Sequence, residues 1–214
     1  MRNVIGTILG RKGMGKSYLV REILAEFDRV LILDTMGEYG TRDGVAVAST
    51  FSESLAALEE AGQADTFKIS MRVIEERHAE AIADVVYAFR NVLFVVEEAS
   101  VYMKPQALPD PFKQLVLRGR HHAISQLYVA QRAARLHRDI TSQSDYVVAF
   151  QQHGSTDIKY LEDVFGDQAE QLRTLAPRAV MVGGPSPQLA PKAVKARIRR
   201  KDVAERRPTL REDS

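Results

Sequence analysis

Residues 10–17 read Gly-Arg-Lys-Gly-Met-Gly-Lys-Ser, which fits the phosphate-loop pattern G-x-x-x-x-G-K-S. The glycines let the main chain curl so that its N–H groups point at phosphates, at the positive end of the following helix. The apolar run 4–9 before the loop predicts a buried strand, and the apolar spacing over 18–24 predicts a helix. This context favours a phosphate loop over an accidental glycine-rich turn. We therefore predict that the segment binds a nucleoside triphosphate.

The residues of this loop have distinct expected roles. Lys16 is expected to reach the β- and γ-phosphates, and the Ser17 hydroxyl is expected to bind Mg²⁺. The predicted cofactors are therefore ATP and Mg²⁺. The remaining nucleotide contacts are expected from Gly10, Arg11, Lys12, Gly13, Met14, Gly15 and Tyr18.

Length and composition restrict the class of protein. A chain of 214 residues suffices for one substantial α/β domain and is too short for two ordinary ones. The absence of cysteine excludes disulfides, thiolate metal sites and a cysteine nucleophile. No apolar run reaches the roughly 18 residues of a membrane-spanning helix, and the amino-terminal apolar run lacks a signal-peptide cleavage site. We expect a cytoplasmic protein or, if the chain is viral, one in the host cytoplasm or associated with the virion.

Charge is unevenly placed along the chain. Residues 192–214 contain nine basic and four acidic residues, a net +5, which leaves −3 of the total +2 for residues 1–191. A basic tail suggests an anionic partner, or a capsid or other protein that docks it; a solvated, disordered terminus is the open alternative. Because the glycine- and proline-rich run 183–187 should end the fold, we predict a motor domain over 1–185 and a flexible tail over 186–214.

Strand-like and helix-like segments alternate, which is typical of an α/β fold with a mostly parallel sheet and helices on both faces. The most apolar run, 92–96, is expected to be a central strand. Further strands are predicted over 29–34, 66–73, 125–130, 146–150 and 179–182. Helices are predicted over 52–61 (with Ser52 as N-cap), 77–90, 110–118, 137–143, 156–165 and 168–175.

Polar residues follow two of the apolar strands and are candidates for roles in hydrolysis. Glu97 and Glu98 end the run 92–96, on a strand expected to neighbour the phosphate-loop strand. We assign Glu97 to Mg²⁺ through water and Glu98 to the attacking water as general base; the alternative is that both begin a solvated loop. Gln131 follows strand 125–130, at the sheet edge where ligands gather, and is expected to contact the γ-phosphate or the water.

The order of these motifs resembles the HerA–FtsK superfamily of DNA-pumping ATPases, which includes viral genome-packaging ATPases. The resemblance covers about residues 3–182. Glutamate at position 97, where aspartate is commoner, leaves open how Glu97 and Glu98 divide their work. The matching segments are the loop 10–17, Asp34 followed by Glu38-Tyr39, the pair Glu97-Glu98, Arg118-Gly119-Arg120-His121, and Gln131-Arg132.

The resemblance implies a P-loop NTPase fold of the RecA/ASCE type and a hexameric ring around duplex DNA, with ATP at the subunit interfaces. It also implies an arginine that reaches the neighbouring subunit's γ-phosphate and stabilises charge in the transition state. By position this arginine is Arg118 or Arg120, with Arg120 preferred. The alternative is that both cap the helix over 110–118, where cations suit the helix dipole.

Contact with double-stranded DNA is expected to be sequence-independent and to run through phosphates. The candidates are Tyr102, Lys104 and Gln106 after the acidic pair, and the cluster Arg132, Arg135 and Arg138. We expect a bare motor domain without a membrane anchor, an amino-terminal barrel or a DNA-orienting winged helix, which resembles a viral packaging ATPase more than a chromosome translocase. The main alternative is a small-molecule or nucleotide kinase, although the acidic pair favours hydrolysis over transfer. A GTPase is disfavoured because an Asn-Lys-x-Asp motif is missing, and a protein that uses ATP only to control assembly remains open.

Overall fold

The computed structural model describes residues 3–197, which form one eight-stranded sheet with helices on both faces. The strands are β1 Ile5–Leu9, β2 Arg29–Leu33, β3 Ala46–Ala48, β4 Phe67–Met71, β5 Val92–Val96, β6 Ile124–Ala130, β7 Tyr146–Ala149 and β8 Met181–Gly183. Their order across the sheet is β3-β4-β2-β5-β6-β1-β7-β8, and only the pairing of β8 with β7 is antiparallel within the described residues. The predicted α/β fold class is therefore confirmed.

The helices divide between two hydrophobic layers, because successive residues of each strand face opposite sides of the sheet. Their bounds are α1 Lys16–Leu24, α2 Phe51–Gln63, α3 Glu76–Tyr87, α4 Asp110–Arg118, α5 Arg138–Gln143 and α6 Ser155–Phe165. Along β5, Phe94 and Val96 pack in the layer that holds α2 to α6, whereas Val95 packs in the layer that holds α1. The central strands are thus buried on both faces, as their continuous apolar sequences predict.

Three local predictions differ from the structure. The edge strand β3 was not predicted, since three residues are too few to show a period. The N-cap of α2 is Thr50, not Ser52: the Thr50 hydroxyl accepts a hydrogen bond from the Glu53 N–H at 3.1 Å. The helix predicted over 168–175 is a 3₁₀ segment, Gly166–Thr174.

The strand that carries the acidic pair is not the neighbour of β1, so that expectation is wrong. β6 lies between β5 and β1 and pairs with both in parallel register. Two strand spacings separate β5 from β1, roughly 10 Å. The carboxyl ends of the three strands therefore form a row in which Gln131 occupies the middle position.

Packing continues past the predicted boundary at residue 185. Residues 192–197 are helical, and Val194 is fully buried in the layer that holds α1. The Glu26 carboxylate caps this helix by accepting the N–H groups of Lys192 at 3.0 Å and Ala193 at 2.9 Å. The rest of the predicted tail, 198–214, lies outside the described residues, and the division at 185 stays a prediction. Among the helices described between residues 3 and 197, none has the length and apolar character needed to cross a membrane.

Candidate nucleotide-binding and hydrolysis site

The phosphate loop lies between the carboxyl end of β1 and the amino end of α1. Gly13 (φ 82°) and Gly15 (φ 98°) adopt left-handed backbone that favours glycine. Gly10 is needed for space, because an added Cβ would lie 2.7 Å from the Phe150 Cβ. The Gly10 N–H donates to the Ala130 carbonyl at 3.2 Å, which ties the loop to the end of β6. The predicted loop residues are therefore brought together as one backbone cradle.

Lys16 is held inside this cradle rather than in solvent. Its side chain is buried, and Nζ donates to the Arg11 carbonyl at 3.3 Å. Burial lowers the pKa of the Lys16 ammonium, whereas the nearby carboxylates of Glu98, Glu97 and Glu38 oppose this change. The cationic end of the loop thus faces the acidic groups at the end of β5.

Glu97 is a buried carboxyl at the end of β5, with only 4% of the residue exposed. The Tyr39 hydroxyl donates to its Oε1. Burial raises the pKa of Glu97 to about 7, although the hydrogen bond from Tyr39 and the charge of Lys16 act in the opposite direction. A divalent cation close to this carboxyl would favour its ionised form.

Asp34 stabilises the loop after β2, and this loop positions the Tyr39 hydroxyl next to Glu97. Its carboxylate, fully buried, accepts the backbone N–H groups of Glu38 at 2.9 Å and Tyr39 at 3.0 Å, and the Ser70 hydroxyl at 2.9 Å. In the sequence, Asp34 and Tyr39 stand out only as part of the family signature. Their structural role was missed because the contact of Tyr39 with Glu97 joins residues 58 positions apart.

Glu98 and Gln131 meet at the row of strand ends. The Gln131 side-chain amide donates to Glu98 Oε1 at 2.7 Å. Glu98 has a left-handed backbone, φ 48° and ψ 45°, which costs a residue with a side chain about 1–3 kcal/mol. This conformation turns the chain at Glu98 away from the strand direction. As a result, Glu97 is buried beside Tyr39, whereas Glu98 is less buried and lies beside Gln131.

The oxygen donors of the site fit the predicted Mg²⁺. Ser17 is half-buried at the start of α1, next to Lys16, and Glu97 supplies a carboxylate from across the row. Mg²⁺ prefers oxygen ligands and is usually held by one or two protein groups together with substrate phosphates and water. A hydroxyl and a carboxylate on either side of a phosphate cradle match that preference.

The two candidate trans-acting arginines lie near the amino ends of the strands, whereas the phosphate loop lies at their carboxyl ends. Arg118 ends α4 and is exposed. Arg120 lies just before β6, where its guanidinium contacts Asp145 Oδ1 at 3.1 Å and the Gln143 carbonyl at 2.5 Å. Because β1, β6 and β7 are parallel, residues before these strands are distant from the phosphate loop of the same chain.

The candidate DNA contacts differ in accessibility. Tyr102 is buried, with 2% exposed, and its hydroxyl donates to the Val73 carbonyl at 2.7 Å, so its predicted contact with DNA is wrong. Gln106 and Arg135 are exposed. The other three basic side chains form ion pairs: Lys104 with Glu76 at 2.6 Å, Arg132 with Asp157 at 3.1 Å and Arg138 with Asp163 at 2.5 Å.

Solved structures similar to this chain share its fold. One is the genome packaging NTPase B204 of Sulfolobus turreted icosahedral virus 2 with sulfate, at 15% identity and TM-score 0.69, covering 85% of this chain and 91% of B204. B204 with AMPPCP has 16% identity and TM-score 0.66, covering 86% and 99%. VirB4 of Thermoanaerobacter pseudethanolicus has 14% identity and TM-score 0.60, covering 85% and 87%.

A comparison with models of protein families identifies the family of this chain. The search of curated proteins found no match. The model described as "Helicase HerA, central domain" matches residues 7–152, a range that begins in β1 and ends just after β7. It includes the phosphate loop, the acidic pair and Gln131. The resemblance found in the sequence is confirmed: the chain belongs to the HerA central-domain family, within the HerA–FtsK superfamily of P-loop NTPases.

Proposed function

We propose that the chain is the motor domain of an ATPase that uses ATP hydrolysis in an oligomeric ring to move DNA. The observation that carries this proposal is that the phosphate loop, buried Glu97 and the hydrogen-bonded Glu98 and Gln131 meet at one sheet edge. Family membership supports it. The similar B204 structures from Sulfolobus turreted icosahedral virus 2 are of a genome packaging NTPase in complex with AMPPCP or ATP-gammaS, and B204 from Sulfolobus turreted icosahedral virus is described as a DNA-packaging ATPase.

In the proposed reaction, a water oxygen attacks the γ-phosphorus while the bond to the β,γ-bridging oxygen breaks, giving ADP and phosphate. Glu98 takes the proton of the attacking water, and Gln131 orients both that water and the Glu98 carboxylate. Lys16 and the loop N–H groups stabilise the charge on the phosphates. The Glu98–Gln131 hydrogen bond supports water activation rather than transfer to a bound acceptor, as a kinase would require.

Ser17 and Glu97 are the residues that would hold Mg²⁺. When bound, Mg²⁺ acts as a Lewis acid that neutralises charge on the β- and γ-phosphate oxygens. Glu97 must be ionised to serve in this way, and its partner Tyr39 stabilises the ionised form by donating a hydrogen bond. Glu97 is therefore assigned to the metal and Glu98 to the water, as the sequence predicts.

The proposed ring places an arginine of one subunit against the ATP of the next. Arg118 and Arg120 lie at the sheet edge opposite to their own phosphate loop, so either could serve only the site of a neighbouring copy. We retain Arg120 as the preferred candidate. In the free chain it is paired with Asp145.

DNA contacts in this proposal are sequence-independent. Gln106 and Arg135 provide exposed groups, whereas Lys104, Arg132 and Arg138 would exchange carboxylate partners for phosphates. Binding should weaken steeply as salt rises. The expected setting is the cytoplasm of a cell or, for a viral packaging motor, of the infected host or the virion.

The test is phosphate release by the full chain with ATP and Mg²⁺, with and without duplex DNA. We expect hydrolysis that duplex DNA stimulates, because a motor couples the two. Glu98→Gln should retain ATP binding and lose hydrolysis, and serves as the control for contaminating ATPases. ATP turnover that requires a small-molecule acceptor would instead identify a kinase, and ATP binding without turnover would leave only an assembly role.

A further inference from the structure

A cavity of about 1020 Å³ opens on one side of the phosphate loop. Its walls include Gly13 and Gly15 of the loop and Phe150, which follows β7. The residues assigned to hydrolysis lie on the other side of the loop, at the ends of β5 and β6. Since the sheet order is β5-β6-β1-β7-β8 in this region, the loop stands between the hydrolytic groups and the cavity.

This order fixes the direction in which a bound triphosphate would run. Its γ-phosphate must face Glu98 and Gln131, so its α-phosphate faces β7 and the cavity. The volume suits a ligand group, because small-molecule pockets usually measure about 300–1,000 Å³. The lining combines aromatic rings with cationic side chains: Tyr18, Phe150, Arg178 and Arg197. Rings and guanidinium planes are surfaces on which a nucleic-acid base stacks.

Most of the wall that faces the loop comes from residues 171–180, and the carboxyl-terminal helix over 192–197 contributes Arg197. Glu26, just past the end of α1, caps the start of this helix, and Val194 is buried beneath it. At its other end Arg197 pairs with Glu22 Oε2 at 3.0 Å and lies 5.5 Å from the centre of the Tyr18 ring. The helix therefore runs back along α1 and delivers Arg197 to the phosphate-loop end.

We propose that the cavity binds the base and ribose of ATP, and that Arg197 with Tyr18 forms its clamp. The carboxyl-terminal helix is then part of the nucleotide site. This inference rests on the proposed function for the triphosphate and adds the residues that grip the nucleoside. Tyr18, 62% exposed, has a free ring face for the base, while the guanidinium, paired with Glu22, is already held in place.

The test separates nucleoside binding from phosphate binding. Dissociation constants of ATP and of inorganic tripolyphosphate are measured by calorimetry on the full chain with Mg²⁺. Wild-type protein should bind ATP more tightly than tripolyphosphate. Arg197→Ala should weaken ATP binding about 10-fold, the loss expected from one cation–π and stacking contact, and leave tripolyphosphate binding unchanged. Lys192→Ala removes the same charge from the same helix but does not line the cavity, and should change neither constant.

A second variant covers the case in which Arg197→Ala disturbs the fold. Ala176, an exposed residue on the cavity wall, can be replaced by tryptophan to fill the space. Ala176→Trp should weaken ATP binding and spare tripolyphosphate. Equal losses for both ligands, or unchanged ATP binding in both variants, would overturn the inference while leaving the phosphate loop intact. If wild-type protein bound neither ligand, the proposed function itself would fail.

Discussion

Replacing Glu97 by glutamine should stabilise the free protein, by an amount that grows as pH rises. The carboxyl is 4% exposed, and burial raises its pKa from the ordinary 4.5 to about 7. Glutamine resembles the protonated form, and its carbonyl oxygen can still accept the hydrogen bond that Tyr39 donates to this position. The substitution therefore removes the cost of burying a charge while preserving the contact.

The sign and size follow from proton binding. Between pH 4.5 and about 7 the folded state holds the Glu97 proton more tightly than the unfolded chain, so stability falls as pH rises through this window. At 1.36 kcal/mol per pKa unit, the full loss is about 3 kcal/mol above the folded-state pKa. The advantage of Glu97→Gln over wild type should grow from about 1 kcal/mol at pH 5.5 to about 3 kcal/mol at pH 8.

Urea unfolding of both proteins at pH 5.5, 7 and 8, without Mg²⁺ or nucleotide, measures this difference. Glu98→Gln is the matched control, because it removes a carboxyl group from the same turn at a less buried position and so separates the effect of burial at Glu97 from the loss of a carboxylate there. An advantage for Glu97→Gln that is constant or shrinks with pH would refute the reasoning. Greater stability of wild type at pH 8 would do the same.

Four further outcomes are expected. Lys16→Ala should abolish productive ATP binding and turnover, as a nucleotide-binding assay and phosphate release would measure; retained turnover would remove the loop from the mechanism. Gln131→Ala should lower kcat about 100-fold with little change in ATP affinity, and a matching loss of affinity would contradict its assigned role. Tyr39→Phe should weaken the Mg²⁺ dependence of nucleotide binding, since Glu97 loses its hydrogen-bond donor; unchanged Mg²⁺ titrations would argue against that link. Arg120→Ala protein mixed into wild-type rings should lower ATP hydrolysis by more than the fraction of variant present. A loss proportional to that fraction would exclude a shared site.

The sequence predicts the fold well where strands are long and buried. Runs such as Val92–Val96 and Ile124–Ala130 carry their own signal, because burial on both faces requires continuous apolar residues. The order of the strands across the sheet could not be predicted in this way. The local sequence of β5 says nothing of which strand pairs with it, so the placement of β6 between β5 and β1 emerged only from the structure.

The residues of the candidate site also divide into those that the local sequence predicts and those that depend on long-range contacts. The loop and its helix are local, and their residues could be predicted from spacing alone. Asp34 illustrates what could not be: its carboxylate bonds to N–H groups four and five residues away and to Ser70, on a different strand. Arg197 is a similar case, because a basic residue in a basic tail carries no sign that the chain returns to the phosphate loop.

These long-range contacts connect the two halves of the site. Arg21, on α1, donates to the Glu38 carbonyl at 2.5 Å and to Asp43 Oδ1 at 2.9 Å, and its guanidinium lies 5.3 Å from the centre of the Tyr39 ring. Helix α1, whose amino end would bind phosphate, therefore contacts the loop that carries Tyr39. Tyr39 in turn contacts the carboxyl group assigned to Mg²⁺. Asp34 accepts hydrogen bonds from the backbone of the same loop, so that α1, Tyr39 and Glu97 belong to one connected set of contacts.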